Sequence, residues 1–153
     1  MKTKEEIVNN WLPRYPGKSL NSFGKYFLLT NFHHYLELFA GWYDVPIEGR
    51  DKNMPNATFD GITIINFGMG SPNAATIMDL LSAVNPNAVL FLGKCGGLKK
   101  KNKVGDLILP IAAIRSDGTS NDYLHVEVTA LPAFKLQSAI SASIIRHHKE
   151  YWT

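Results

Sequence analysis

The sequence predicts an α/β protein with a largely parallel or mixed sheet. Three observations carry this. Short apolar, β-branched runs alternate along the chain with stretches of helical periodicity. Two of those runs, 62–67 and 88–92, pass directly into glycine turns. A helical stretch lies between the same two runs, so residues 62–92 form a strand–helix–strand unit, which favours a parallel pair with a right-handed crossover.

The elements follow in order. Thr3-Lys4-Glu5-Glu6 has the form of a capping box, so a helix is expected to start there and end before Pro13. Arg14 to Gly24 contains Pro16 and Gly17 and reads as loop. Tyr26 to Leu29 is a short buried strand. Asn31 is expected to cap a helix running to about Trp42, with Tyr35, Leu38, Phe39 and Trp42 on one face. Val45 to Phe59 reads as irregular. Ile62 to Phe67 is a strand whose β-branched character predicts burial on both faces. Ser71 is expected as the next N-cap, with Pro72 at the first helical position and Ile77, Leu80, Leu81 and Val84 as the buried stripe. Asn85-Pro86-Asn87 stops that helix, and Ala88 to Leu92 is the next strand. Leu107 to Ile114 is a further strand, interrupted by Pro110. Pro132 opens a last helix to about His148, with Leu136, Ile140 and Ile144 inward.

Composition narrows the class. The chain has 153 residues, 45% apolar and 19% charged, which suits one folded domain rather than disorder. No stretch reaches the roughly 18 consecutive apolar residues of a membrane span. Met1-Lys2-Thr3-Lys4-Glu5-Glu6 lacks the apolar core of a secretory signal. A single cysteine excludes an internal disulfide and fits a reducing cytoplasm. A net charge of +3 is too weak to indicate a nucleic-acid polymer. The basic run Lys99-Lys100-Lys101-Asn102-Lys103 reads as a solvated loop, with attraction of an anionic substrate as the functional alternative.

Two glycine turns carry the candidate chemistry. Gly68-Met69-Gly70-Ser71-Pro72-Asn73 joins a buried strand to a helix start, where free N–H groups suit an anion or sugar oxygens. A plain tight turn is the competing reading. It is not the dinucleotide fingerprint, since Asn73 stands at the third glycine position. Gly93-Lys94-Cys95-Gly96-Gly97-Leu98 exposes further donors, and Lys94 can supply a cation to a phosphate. Cys95 reads as a small buried packing residue. His33-His34 and His147-His148 are neighbours on helices and do not chelate, and no Cys/His spacing forms a zinc site, so no metal or cofactor is expected.

The ordered set of motifs resembles the nucleoside phosphorylase superfamily. Asn66-Phe67-Gly68-Met69-Gly70-Ser71-Pro72 is similar to its GMG-x-P turn. Leu92-Gly93-Lys94-Cys95-Gly96-Gly97-Leu98 is similar to its G-[ST]-C-G-G/A loop. Val104-Gly105-Asp106-Leu107, followed by Arg115-Ser116-Asp117-Gly118-Thr119-Ser120, is similar to its V-G-D-[LV] strand and R-x-D-G-[AT]-S continuation. Within the superfamily, the runs 49–57 and 94–101 most resemble the short-form AMP nucleosidases.

The resemblance implies a mixed central β-sheet flanked by helices, cleavage of AMP to adenine and ribose 5-phosphate, and homo-oligomers built as dimers within a hexamer. It implies that Met69, between Gly68 and Gly70, contacts the ribose, and that Cys95, Gly96 and Gly97 lie in the loop backing base and ribose. It places Arg50 in the segment that reaches a neighbouring subunit's anion site. Lys94 replaces a small hydroxyl residue that helps hold phosphate.

Departures from the family pattern bear on the reaction. Where phosphorylases carry G-D-P-x-R-A, the chain reads Thr30-Asn31-Phe32-His33-His34, and Phe91 stands where an arginine is frequent. Fewer cations for inorganic phosphate favour hydrolysis by water, and free Lys94 and Arg50 for the 5′-phosphate of a nucleotide. The family's base-binding glutamate motif and its later catalytic aspartate have no match here. Residues 1–153 are therefore expected to be a single partial domain, incomplete at the C-terminus and with little activity alone. The competing expectations are a purine or uridine phosphorylase, another purine nucleosidase, or a nucleotide-binding assembly module without catalysis.

Overall fold

The computed structural model describes residues 3–153. Met1 and Lys2, part of the charged start read above, lie outside them. The chain divides into two compact units, one up to Lys94 and one from Cys95.

In the first unit, α1 (Lys4–Trp11) opens on the expected capping box. The Thr3 hydroxyl accepts from the Glu6 N–H at 3.2 Å, and the Glu6 carboxylate accepts from the Thr3 N–H at 2.7 Å. Val8 and Leu12 of this segment are buried against Leu80.

The sheet is mixed, in the order β2-β3-β1-β4. Strand β1 (Tyr26–Thr30) is central. It runs parallel to β3 (Ile62–Asn66) on one side and to β4 (Ala88–Leu92) on the other. The strands at 62–66 and 88–92 are thus parallel members of one sheet, but β1 lies between them and they do not pair directly.

Strand β2 (Asn56–Phe59) is antiparallel to β3. It falls inside a stretch expected to be irregular. The overlooked signal is Asp60-Gly61, both with positive φ (45° and 76°), which is the two-residue hairpin chemistry that matches strand twist.

Helices cover both faces. α2 (His33–Tyr43) packs Leu36, Phe39 and Ala40 against Ala57 and Ile64. α3 (Ser71–Leu81) packs Ile77 and Leu81 against Phe27, Leu29, Ile65 and Phe67. Alternation along β1 and β3 supplies both faces, as a strand buried on each side requires. Strand β3 meets that expectation, whereas β4, at the edge of this sheet, is half-buried and leaves Phe91 58% exposed.

Two helix starts differ from expectation. Phe32, not Asn31, is the N-cap of α2, with no side-chain cap. The buried face is Leu36, Phe39 and Ala40, set by packing on Ala57 and Ile64, and Trp42 is 72% exposed. Gly70, not Ser71, is the N-cap of α3, because its φ of 92° takes the turn that glycine alone adopts readily. Ser71 and Pro72 then fill the first two helical positions. The stripe Ile77, Leu80, Leu81 and Val84 is buried as expected.

In the second unit, β5 is only Leu107–Ile108, pairing in parallel with β6 (Tyr151–Trp152). The expected strand to Ile114 stops early because Pro110 has no N–H to donate, although Ala113 bridges Ala130 beyond it. α4 (Phe134–Arg146) has its expected stripe, Leu136, Ile140 and Ile144, half-buried. The Arg115 guanidinium gathers the following loop. It donates to the carbonyls of Ser120 (2.7 Å), Leu124 (2.5 Å), His125 (2.6 Å) and Val128 (2.8 Å) and to the Ser120 hydroxyl at 3.0 Å. Among the described residues no helix is long and apolar enough to cross a membrane.

Asp106, the aspartate of the V-G-D motif, ties β6 in place. Its carboxylate accepts from the Lys103 N–H at 2.9 Å and the Trp152 indole N–H at 2.8 Å. The Lys103 backbone hydrogen bond, then that of Trp152, holds its carboxyl below the usual carboxylate range. A depressed folded pKa means the contribution is present above the unfolded value and lost as pH falls through the folded one. The Trp152 indole N–H resonance should therefore move on acidification with a midpoint below about 3.9, the ordinary aspartate value. A midpoint above that value would contradict the assignment.

Candidate functional site

The carboxyl ends of β1, β3 and β4 meet at one edge of the sheet. The chain leaves β1 toward β3 on one side, and leaves β3 toward β4 on the other. These connections diverge at the β1–β4 border, where α/β sheets leave a crevice outside the strand ends. Thr30, Asn66 and Leu92 are in register at this edge, so the next residues of all three strands, Asn31, Phe67 and Gly93, stand around it.

A cavity of about 500 Å³ opens there, on the α3 face. Asn31, Phe67, Gly70, Ser71, Met78 and Phe91 are among its lining residues. The Phe67 and Phe91 rings lie 5.9 Å apart, tilted by 48°. The walls are mostly apolar, as small-molecule sites usually are.

The first glycine turn is built for close approach. Gly68 and Gly70 both have positive φ, 78° and 92°. The Gly68 N–H donates to the Asn66 side chain at 3.0 Å, and the Asn73 amide donates to the Met69 carbonyl at 3.1 Å. These bonds fix the turn and leave the Met69 side chain 79% exposed. Gly70 lines the cavity at the start of α3.

Lys94 reaches the same edge from the end of β4. Its ammonium sits 4.5 Å from the Phe32 ring centroid and 5.5 Å from that of Tyr35. Among the described residues no carboxylate pairs with it. Two ring faces hold the cation and leave its charge uncompensated.

Arg50 is exposed and does not line the cavity. It sits in a tight turn closed by the Lys52 N–H on the Gly49 carbonyl at 2.9 Å. That turn is fastened to residues 15–18. The Met54 N–H donates to the Tyr15 carbonyl (3.1 Å), the Asn56 amide to the Pro16 carbonyl (2.7 Å), and buried Lys18 pairs with Glu48 (3.1 Å).

Cys95, Gly96 and Gly97 belong to the second unit and are exposed. The expected buried packing role of Cys95 is corrected, since its thiol is free and exposed. The loop around it runs without regular structure, so nothing packs over the side chain. Gly97 has a local reason to be glycine. A Cβ there would lie 2.6 Å from that of Asn102, whose side chain accepts from the Lys99 N–H at 3.0 Å. His33 and His34 both lie beside Glu37, at 3.7 and 4.0 Å.

The structure therefore brings Gly68, Met69, Gly70 and Lys94 to one sheet edge. It also adds Asn31, which sequence reasoning spent on a helix cap. The signal was its place in the alternation of β1, where it continues the row Phe27, Leu29 one step past the strand.

A mixed α/β sheet with two glycine turns at strand ends and an apolar cavity at the switch point is an arrangement that suits a small-molecule ligand. The chain matches the Phosphorylase superfamily model over residues 49–153, and it belongs to that superfamily. It is similar to the AMP nucleosidase of Bacteroides thetaiotaomicron VPI-5482. That structure is 61% identical, with a TM-score of 0.93 over 99% of this chain and 64% of the neighbour. The AMP nucleosidase of Escherichia coli (strain K12) is 26% identical over 166 residues, covering 84% of this chain and 34% of that protein. The guanosine phosphorylase of Halorubrum lacusprofundi is 36% identical over 89 residues, covering 57% and 37%. The chain thus spans 64% of the solved neighbour and about a third of these curated relatives.

Proposed function

We propose that the chain is part of an enzyme that hydrolyses the N-glycosidic bond of AMP, giving adenine and ribose 5-phosphate. The observation that carries this is the 61% identity to an AMP nucleosidase along 99% of the chain. The site supports it. An ammonium at the end of β4, with no carboxylate paired to it among the described residues, suits a phosphate monoester. In this reading Lys94 holds the 5′-phosphate. Gly68, Met69 and Gly70 hold the ribose, Cys95, Gly96 and Gly97 back the base and sugar, and Arg50 serves an anion site in a second copy. The reading includes a homo-oligomer, a cytoplasmic location and one domain over residues 1–153.

The chemistry sets what the protein must supply. The C1′–N9 bond breaks, water adds at C1′, and the purine leaves after protonation, since a neutral base departs more readily than its anion. The sugar passes through a positively charged transition state that needs electrostatic support. No metal or redox cofactor is called for by that balance.

A second reading, phosphorolysis, is favoured by the guanosine phosphorylase relative. Adenine release from AMP, with and without inorganic phosphate, separates the two. Release that is independent of phosphate is expected, from the chain or from a form carrying the segments its longer relatives have. Release that requires phosphate, or a preference for unphosphorylated nucleosides, would replace hydrolysis by phosphorolysis.

A further inference from the structure

We propose that Asn31 recognises a sugar hydroxyl of the ligand, accepting its hydrogen bond through the side-chain amide oxygen. The inference deepens the nucleotide reading above and rests on it.

The cavity wall carries the argument. Asn31 lines the cavity, and its Oδ1 atom is buried with no hydrogen-bond partner among the described residues. Leu29, Val89 and Phe91 on that wall have apolar side chains, which carry no donor. The residue does not cap α2, where Phe32 occupies the cap position, and the Phe32 N–H is already taken by the Thr30 hydroxyl at 3.1 Å. A buried acceptor left unpaired loses its bond to water and receives nothing in return, so folding alone gives no reason for this amide. A donor supplied by the ligand completes it.

The donor is neutral and small. The unpaired atom is an oxygen, which accepts from a hydroxyl and gains nothing from a phosphate oxygen. Gly70 and Ser71 border the same cavity, and Gly70 belongs to the turn assigned to the ribose. A hydroxyl of that ribose is then the donor nearest to Asn31. A site built around one hydrogen bond to a hydroxyl also rejects the analogue that lacks it.

The test uses the full chain with ribose 5-phosphate and its 2-deoxy and 3-deoxy counterparts, read as binding by thermal shift and titration. The parent protein should bind ribose 5-phosphate about tenfold more tightly than one of the deoxy sugars, the worth of one buried hydrogen bond. Asn31→Leu should lose that discrimination yet melt no lower than the parent, because the buried oxygen it removes makes no hydrogen bond in the fold. Asn31→Ala, which cannot overfill the site, should lose the same discrimination. Retained discrimination in these variants would overturn the proposal, as would a parent that binds all three sugars equally or none. A loss of preference for AMP over inosine monophosphate, with sugar discrimination intact, would also overturn it by moving the contact to the base. Binding is read without turnover, so a failure to release adenine from AMP counts against the proposed reaction and leaves this measurement standing.

Discussion

Lys94→Ala is expected to weaken AMP about 10- to 100-fold while leaving adenosine almost unaffected. A hydrogen bond between charged groups contributes about 1.5–3 kcal/mol, which converts to that range. The geometry makes the full amount available. The ammonium rests on the rings of Phe32 and Tyr35, and among the described residues it has no carboxylate to leave before it meets a phosphate. The comparison with adenosine isolates the phosphate, because a general disturbance of the site would weaken both ligands. Lys94→Arg keeps the charge and should recover part of the affinity. Titration of AMP and adenosine against the three proteins decides the matter. Unchanged AMP affinity in Lys94→Ala would remove this residue from phosphate recognition.

Gly24→Ala is expected to destabilise the fold by about 3 kcal/mol or more, at the upper end of what overpacking costs. A Cβ at Gly24 would stand 2.0 Å from the Gly61 carbonyl oxygen and 2.4 Å from its carbon. That carbonyl cannot retreat freely, since it accepts from the Lys25 N–H at 2.9 Å and the Tyr26 N–H at 3.2 Å. Moving it opens the first rungs between β1 and the β2–β3 hairpin. The Gly24 N–H also donates to the Thr63 hydroxyl at 3.0 Å, which lies 2.9 Å from the Thr58 hydroxyl that holds the Lys18 ammonium at 2.8 Å. One methyl group therefore strains a buried polar chain. Gly61→Ala is the internal control. No atom lies within 4 Å of its would-be Cβ, so only its φ of 76° resists substitution, at about 1–2 kcal/mol. Urea midpoints of the two variants should differ clearly. Equal losses would mean that backbone conformation rather than the steric contact governs Gly24.

Much of this was legible in the sequence because periodicity and punctuation agree there. The Thr3–Glu6 capping box, the strands at 26–30, 62–66 and 88–92, and the buried stripe of α3 follow from local pattern alone. Strand β2 is not legible locally because Pro55 and the turn residues before it mask the Asp60-Gly61 hairpin signal. The order of strands could not be read, because inserting β1 between β3 and β4 is a choice of tertiary packing that no local pattern encodes. The same holds at the site. The glycine turns announce themselves by composition, and Lys94 by its place in a loop. Asn31 carries no such mark, since its role depends on which strands surround it and on an oxygen left without a partner.

The loop after Arg115 has a hydrophilic nucleus in place of an apolar one. Carbonyls of Ser120, Leu124, His125 and Val128 converge on one guanidinium. Residues 121–128 meanwhile turn their side chains to solvent. The path of the loop is thus held from its own turns and from one residue outside it, while its outer chemistry is left open. Such a segment can change what it displays, one side chain at a time, without changing where it runs.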